Sequence, residues 1–235
     1  MHIITSKKTK FFLKMVLLSK FYSNSEELAN AFSHFLGSIL AIVGTYFMLS
    51  FSLKFGSSVH IFVSLTFGLS LFFLFTFSAL THITAHPKAK LIFSNLDQIS
   101  IFILIAGTYT PFALIALKGI TGWIIFILEW SLALIGIFLK IFDKEKLEDK
   151  AKKRFIILYL LMGWLFLINP IALYKAIKIK GLLLVLLAGL FYSTGIFFYN
   201  WQKLKYHHLI WHIFVLIASA LFYFCIYFYV LPIKI

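Results

Sequence analysis

The sequence predicts an all-α membrane protein, a seven-transmembrane helical bundle, and three observations carry that expectation. Of its 235 residues, 62% are hydrophobic and only 13% are charged, and the mean hydropathy of +0.97 is more than a water-soluble domain of this size can hide. Apolar runs recur near 31–51, 60–81, 99–117, 123–142, 155–173, 181–199 and 209–231, each about 20 residues long, which matches a hydrocarbon core about 30 Å thick. The runs are continuous, whereas barrel strands would alternate apolar and polar, so they read as helices that satisfy their own backbone.

Two domains follow. Residues 1–29 form a basic cytosolic arm and residues 30–235 the seven-helix transmembrane domain. Within the arm, the apolar stretch 15–18 is bracketed by Lys14 and Lys20; it is too short for the apolar region of a signal peptide, and no small-residue cleavage site follows. Connections between runs are short except at 143–154, and there is no internal repeat. The single cysteine, Cys225, lies inside the last run, which excludes an internal disulfide and reads as packing.

The formal charge of +14 invites a nucleic-acid partner, but its placement follows the rule that cytoplasmic loops are the basic ones. With the amino terminus inside, the inner segments hold Lys7, Lys8, Lys10, Lys14, Lys20, Lys88, Lys90, Lys140, Lys144, Lys146, Lys150, Lys152, Lys153, Arg154, Lys203 and Lys205. The outer segments hold only Lys54, Lys118, Lys175, Lys178, Lys180 and Lys234. The chain is therefore expected in the cell membrane as a multi-pass protein, amino terminus cytosolic and carboxyl terminus outside. Its basic charge sets topology and attracts anionic lipid heads, with no nucleic acid implied and no protein partner identified.

Ionisable groups in membrane helices are costly and are functional candidates by default. Helix 2 runs inward and ends with Ser78 and His82 one turn apart; helix 3 starts inside with Asp97 near its first turn; helix 7 starts inside with His208 and His212 at i and i+4. The charge rule, which uses neither His nor Asp, thus brings all of these to one membrane depth. Two histidines so spaced present two nitrogens to one metal, and a third from another helix completes a three-ligand zinc site with an open position. A water on such a metal has a lowered pKa and serves as nucleophile, with Asp97 to hold or deprotonate it and Ser78 to orient a ligand or water. On the residues alone a plainer account stays open: interfacial histidines, a serine bonded to its own backbone, and Asp97 as a helix cap.

These residues also carry a resemblance. Glu26, Glu27 and Asn30 with Ser33 and His34, then Ser78 and His82, then Leu96 and Asp97, the string AGTYTPF over 106–112, Met162 to Trp164, and HxxWHxFV over 208–215 resemble the hemolysin III family of bacterial membrane proteins, related to the progestin and adiponectin receptor family. The resemblance spans residues 26–231. It implies a seven-helix bundle with Zn2+ near the cytosolic face on His82, His208 and His212, Asp97 contacting the water on the metal, and Ser78 supporting the site. Eukaryotic relatives are associated with hydrolysis of lipid amides such as ceramide; bacterial members are named for hemolysis and linked to membrane lipid homeostasis. Three positions depart from the family pattern: Thr81 stands for a tyrosine, Gln98 for a histidine and Phe222 for a histidine. None is a proposed ligand, so the departures bear on the polarity around the site and on substrate choice.

The expected function is accordingly a zinc-dependent hydrolase of lipid amides or esters, with membrane lipids as partners and a lipid-like substrate, Asp97 as general base and Ser78 supporting the oxyanion or water. The alternative is a receptor-like or cytolytic membrane protein whose zinc is only structural; a channel or transporter with Glu129 and the histidines lining a path ranks last, because no pair of Gly/Pro-broken helices is evident. His34, at the cytosolic end of helix 1, reads as a partner to the site, a substrate contact, or an interfacial hydrogen bond within the bundle. Glu129, mid-helix, is expected to be neutral or paired. Pro111 and Pro170 read as structural helix ends, His2, His86 and His207 as solvent-facing or loop residues, and Trp123, Trp164, Trp201 and Trp211, unlike Trp130, as interface-belt residues.

Overall fold

A computed structural model describes residues 22–142 and 149–235. Most of the basic arm, with His2 and Lys7 to Lys20, and the loop residues Lys144 and Lys146 lie outside the described residues. Everything described is helix or connection, with no strand among the described residues.

Helix α1 (Asn24–Phe55) opens at Ser23, whose hydroxyl accepts from the Glu26 N–H while the Glu26 carboxylate accepts from the Ser23 N–H, a reciprocal cap that satisfies two otherwise orphaned donors. At 32 residues it is about 48 Å long, longer than a bilayer core, so its first turns project beyond the apolar run that begins at Ala31. Helix α2 (Ser58–Ile83) follows a two-residue turn. Helix α3 (Pro87–Pro111) starts on His86, whose ring accepts from the Ala89 N–H, with Pro87 in the first turn where a missing N–H costs nothing. Past Pro111 the helix widens into π-helical turns over Phe112–Leu117, as expected where proline can neither donate nor leave room for the carbonyl one turn back. Helix α4 (Gly119–Phe142) completes the first half.

In the second half, α5 (Asp149–Gly163) and a 3-10 turn (Leu165–Ile168) precede α6 (Pro170–Asn200), and α7 (His207–Cys225) ends in π-helical turns over Ile226–Val230. Among the described residues, six helices are long and apolar enough to cross a membrane: Asn24–Phe55, Ser58–Ile83, Pro87–Leu117, Gly119–Phe142, Pro170–Asn200 and His207–Val230. The seventh expected run, 155–173, is not one helix. It breaks after Gly163 because Trp164 and Asn169 leave the helical region, and Pro170 restarts the chain as a new first turn with the Asn169 side chain capping it. Likewise α6 begins eleven residues before the run at 181–199, with a kink at Lys178, whose φ is 58°.

The helices close on one another. The largest interfaces join α1 to α2, α2 to α3 and α6 to α7, while α7 returns to α1 and α4 packs on α3. Buried Phe67, Phe75, Phe112, Ile115, Val215 and Phe222 belong to the central core, and the outer faces carry exposed large apolar side chains such as Phe47, Ile127, Leu187 and Phe224. So much apolar exposure fits lipid, not water, as the surrounding solvent. Close approach at the α1, α2 and α7 junction depends on Gly37: a Cβ there would sit 2.8 Å from both Leu216 and Phe75, so small size lets the helices that carry the polar residues meet. Gly37→Val should lower stability by about 1–3 kcal/mol through overpacking, read as a lowered thermal midpoint of the detergent-purified protein; an unchanged midpoint would mean that the junction tolerates separation.

Candidate metal centre

The last turns of α2 deliver Ser78 and His82, both buried, and the first two turns of α7 deliver His208 and His212. The ring centroids of His82 and His208 are 4.9 Å apart, those of His82 and His212 5.1 Å, and those of His208 and His212 4.6 Å. Each of the three offers one ring nitrogen, and these nitrogens all lie within 4.8 Å of one another, so the set can hold one metal ion. No other described group of His, Cys, Asp and Glu side chains does so.

Two of the three rings are held from behind. The Nδ1 of His82 meets the Glu27 carboxylate at 2.6 Å, and the other Glu27 oxygen accepts from Lys90 Nζ, also at 2.6 Å. The Nδ1 of His212 lies 3.2 Å from the Asn30 carbonyl and 3.0 Å from Ser33 Oγ. A carboxylate and a carbonyl only accept, so both Nδ1 atoms carry a proton, which leaves Nε2 as the nitrogen each ring can offer to a metal. Such outer partners fix tautomer and orientation in metal sites generally.

Asp97 lies about 15 Å along α3, since the helix starts at Pro87 and not near 97. The expectation that it stands in the first turn is corrected, and with it goes the reading of Asp97 as a cap; His86 and Pro87 in the short connection moved the start outward. Ser78 interacts with the half-buried Asp97 carboxyl, and the Tyr199 phenol is within electrostatic reach of Asp97 while its ring packs 5.7 Å from that of His208. From the helix-end side, the Tyr22 ring stands 5.2 Å from His208 and 6.1 Å from His82. Burial, reinforced by the nearby Tyr199, Glu27 and Glu26, pushes the Tyr22 phenol well above the usual tyrosine value, so it is a neutral cover. Glu26 ties this segment to α7 by accepting from the Tyr206 N–H at 2.9 Å.

Glu27, Lys90, Tyr22 and Tyr199 were not marked as site residues by the sequence, although Glu27 is an acidic residue opening a membrane helix seven positions before His34. His34 lies flat on His212, centroids 3.5 Å apart and planes at 8°. His207, expected to face solvent, is buried, because the turn 201–206 folds it under to meet the Phe198 carbonyl. Of the departures from the family pattern, Gln98 accepts from Lys140 Nζ at 2.6 Å, Thr81 bonds back to the Phe77 carbonyl, and Phe222 fills core space beside Phe112 and Phe166. Glu129 is fully buried, and its carboxyl has no hydrogen-bond partner among the described residues. Cys225 is buried, with its thiol on the Gly181 carbonyl; Trp130 hydrogen-bonds Thr110.

Fold and site define a class: an all-helical, multi-pass membrane protein with a histidine cluster at one end of the bundle. Residues 22–223 match the family model described as haemolysin-III related. The chain is 40% identical to Hemolysin-3 of Bacillus cereus over 93% of its own length and 97% of that protein's. It is 42% identical to the Hemolysin-3 homolog of Bacillus subtilis (strain 168), over 88% and 96%. The human Monocyte to macrophage differentiation factor is 27% identical over 87% and 84%, a distant relation on the side of the progestin and adiponectin receptors. The chain belongs to the haemolysin-III related family.

The Glu27 bridge is open to a direct test. Glu27→Gln removes the charge shared by His82 and Lys90 and should cost about 1–3 kcal/mol, measured as a drop in the thermal midpoint in detergent. An unchanged midpoint would mean that the bridge holds nothing in place.

Proposed function

We propose that this protein is a zinc-dependent membrane hydrolase of lipid amides or esters, with the ion on His82, His208 and His212. The observation that carries the reading is the convergence of three ring nitrogens within 4.8 Å, two of the rings having their Nδ1 atoms engaged from behind by Glu27 and Asn30. An all-nitrogen triad with one position left open suits zinc in its catalytic role. Zinc held by these three histidines would supply Lewis-acid polarisation of a carbonyl and would acidify water toward neutral pH.

The chain's own residues do the rest. Asp97 accepts the proton of the attacking water and passes it to the departing amine or alcohol. Ser78 steadies the Asp97 carboxyl and offers its O–H to the oxygen on which charge develops. Tyr22 and Tyr199 wall the cluster with aromatic rings, reducing access of bulk water. Half-burial of His208 and Asp97 leaves a side from which a lipid head can approach.

The proposal includes a seventh span and an orientation. From Phe155, beyond the basic turn that stays on the cytosolic side, the rest of α5 and the following 3-10 turn rise about 22 Å, and the first turn of α6 from Pro170 brings the run close to the roughly 30 Å of a bilayer core. Seven crossings put the basic segments on the cytosolic side, with the amino terminus inside and the carboxyl terminus outside, and turn the histidine cluster toward the cytosolic leaflet.

A second reading takes its support from the names of the Bacillus relatives: a cytolytic membrane protein in which the metal only braces α2 against α7. The two part at Asp97. In the hydrolase, Asp97→Asn spares zinc content but lowers turnover of a lipid-amide substrate by at least about 100-fold, the usual worth of a general base; in the second reading, lysis of red cells survives the same change. Equal turnover by wild type and Asp97→Asn would sink the assignment of Asp97.

A further inference from the structure

Beside the histidine cluster, on α1, two polar side chains stand one turn apart. Asn30 is 1% exposed and His34 3% exposed, and among the described residues neither amide atom of Asn30 nor either ring nitrogen of His34 has a well-formed hydrogen bond, the His212 backbone being the one polar group within looser reach of the His34 ring. Asn30 and His34 share a helix face at i and i+4. Both are tied to the cluster: the Asn30 carbonyl takes the Nδ1 proton of His212, and the His34 ring lies on the His212 ring. Counted from the start of α1 they stand about 9 and 15 Å along the helix, farther in from that end than the Tyr22 cover.

Four buried polar atoms side by side without a well-formed hydrogen bond are rare, because each forfeits its hydrogen bonds to water without full replacement. The nearby charges do not serve them, since Glu27 is shared between His82 and Lys90. An amide offers donors and an acceptor, and a neutral imidazole one of each; none of the four atoms carries a formal charge. A group that satisfies them must itself be neutral and both donate and accept, which describes a hydroxyl or a secondary amide and not a phosphate or an ammonium. Bound there, it would lie against His212.

We propose that Asn30 and His34 form a subsite that receives the neutral hydroxyl or amide head of a lipid and positions it beside the histidine cluster. The proposal rests on the reading of the cluster as a lipid-processing centre, which it deepens by assigning the residues that select the head group. Asn30 and His34 are positioning residues: the reaction proceeds elsewhere, on the three histidines and Asp97.

The test exploits what an unsatisfied subsite does to stability. Asn30→Leu, His34→Phe and the double variant keep size and the ring stack but remove the orphaned atoms. Without lipid, the double variant of the detergent-purified full chain should unfold about 3 °C or more above wild type, because apolar groups replace unpaired polar ones. Added N-oleoylethanolamine, which carries both an amide and a hydroxyl, should raise the wild-type midpoint by several degrees and leave the double variant unmoved. Methyl oleate, which accepts but cannot donate, should move neither. A double variant less stable than wild type, variants that do not fold, or equal shifts with the two lipids would overturn the subsite. Zinc content is measured on the same samples: a lipid shift confined to wild type without bound zinc would retain the subsite and remove the hydrolase, and zinc without a lipid shift would do the reverse.

Discussion

The Glu27 carboxylate, gripping His82 with one oxygen and Lys90 with the other, is the interaction on which the arrangement at this end of the bundle depends. It joins the first turns of α1 to the last turn of α2 and the first of α3. Removing one member would leave buried polar groups exposed to their full desolvation cost, which exceeds the modest net gain of forming the contacts. The same economy governs His212, whose Nδ1 is taken by the Asn30 carbonyl and Ser33. Helix α1 thus supports two of the three rings from behind while contributing none of them.

What permits this meeting is geometry in the apolar part of the bundle. Gly37 lets α1 approach Phe75 of α2 and Leu216 of α7, and from that junction the helix ends reach outward with His82 and His212 facing each other. The π-helical turns after Pro111 and at the end of α7 adjust the far ends without disturbing the cluster. At that far end His60 donates to the Ile233 carbonyl, so each end of the bundle has a histidine tying helix termini together, but among the described residues only one end gathers several.

Much of this was legible in the sequence because the relevant signals are local and repetitive. Continuous apolar runs announce membrane helices, and six of them appear where hydropathy puts them. The charge rule brought His82, Asp97, His208 and His212 to one depth, and the three histidines indeed meet. The exception at 155–173 reflects competition within one run: apolar composition favours a span, but Gly163, Asn169 and Pro170 favour a break, and backbone chemistry prevailed over hydropathy. Asp97 was misplaced along its helix because the apolar run starts late, whereas the helix starts at a cap and a proline that hydropathy ignores. Glu27 and Tyr22 were less visible, since their roles come from packing across helices far apart in sequence, which no spacing within one helix encodes. His207 was hidden for a local reason, since the turn before it folds it back onto the Phe198 carbonyl.

The central claim is that the three histidines hold an ion, and the most direct measurement is elemental analysis of the detergent-purified full chain beside its His208→Ala, His212→Ala double variant. About one zinc per chain in the wild type, lost in the variant, is the result expected of a three-histidine site. No metal in the wild type after zinc is supplied, or equal metal in both proteins, would contradict it.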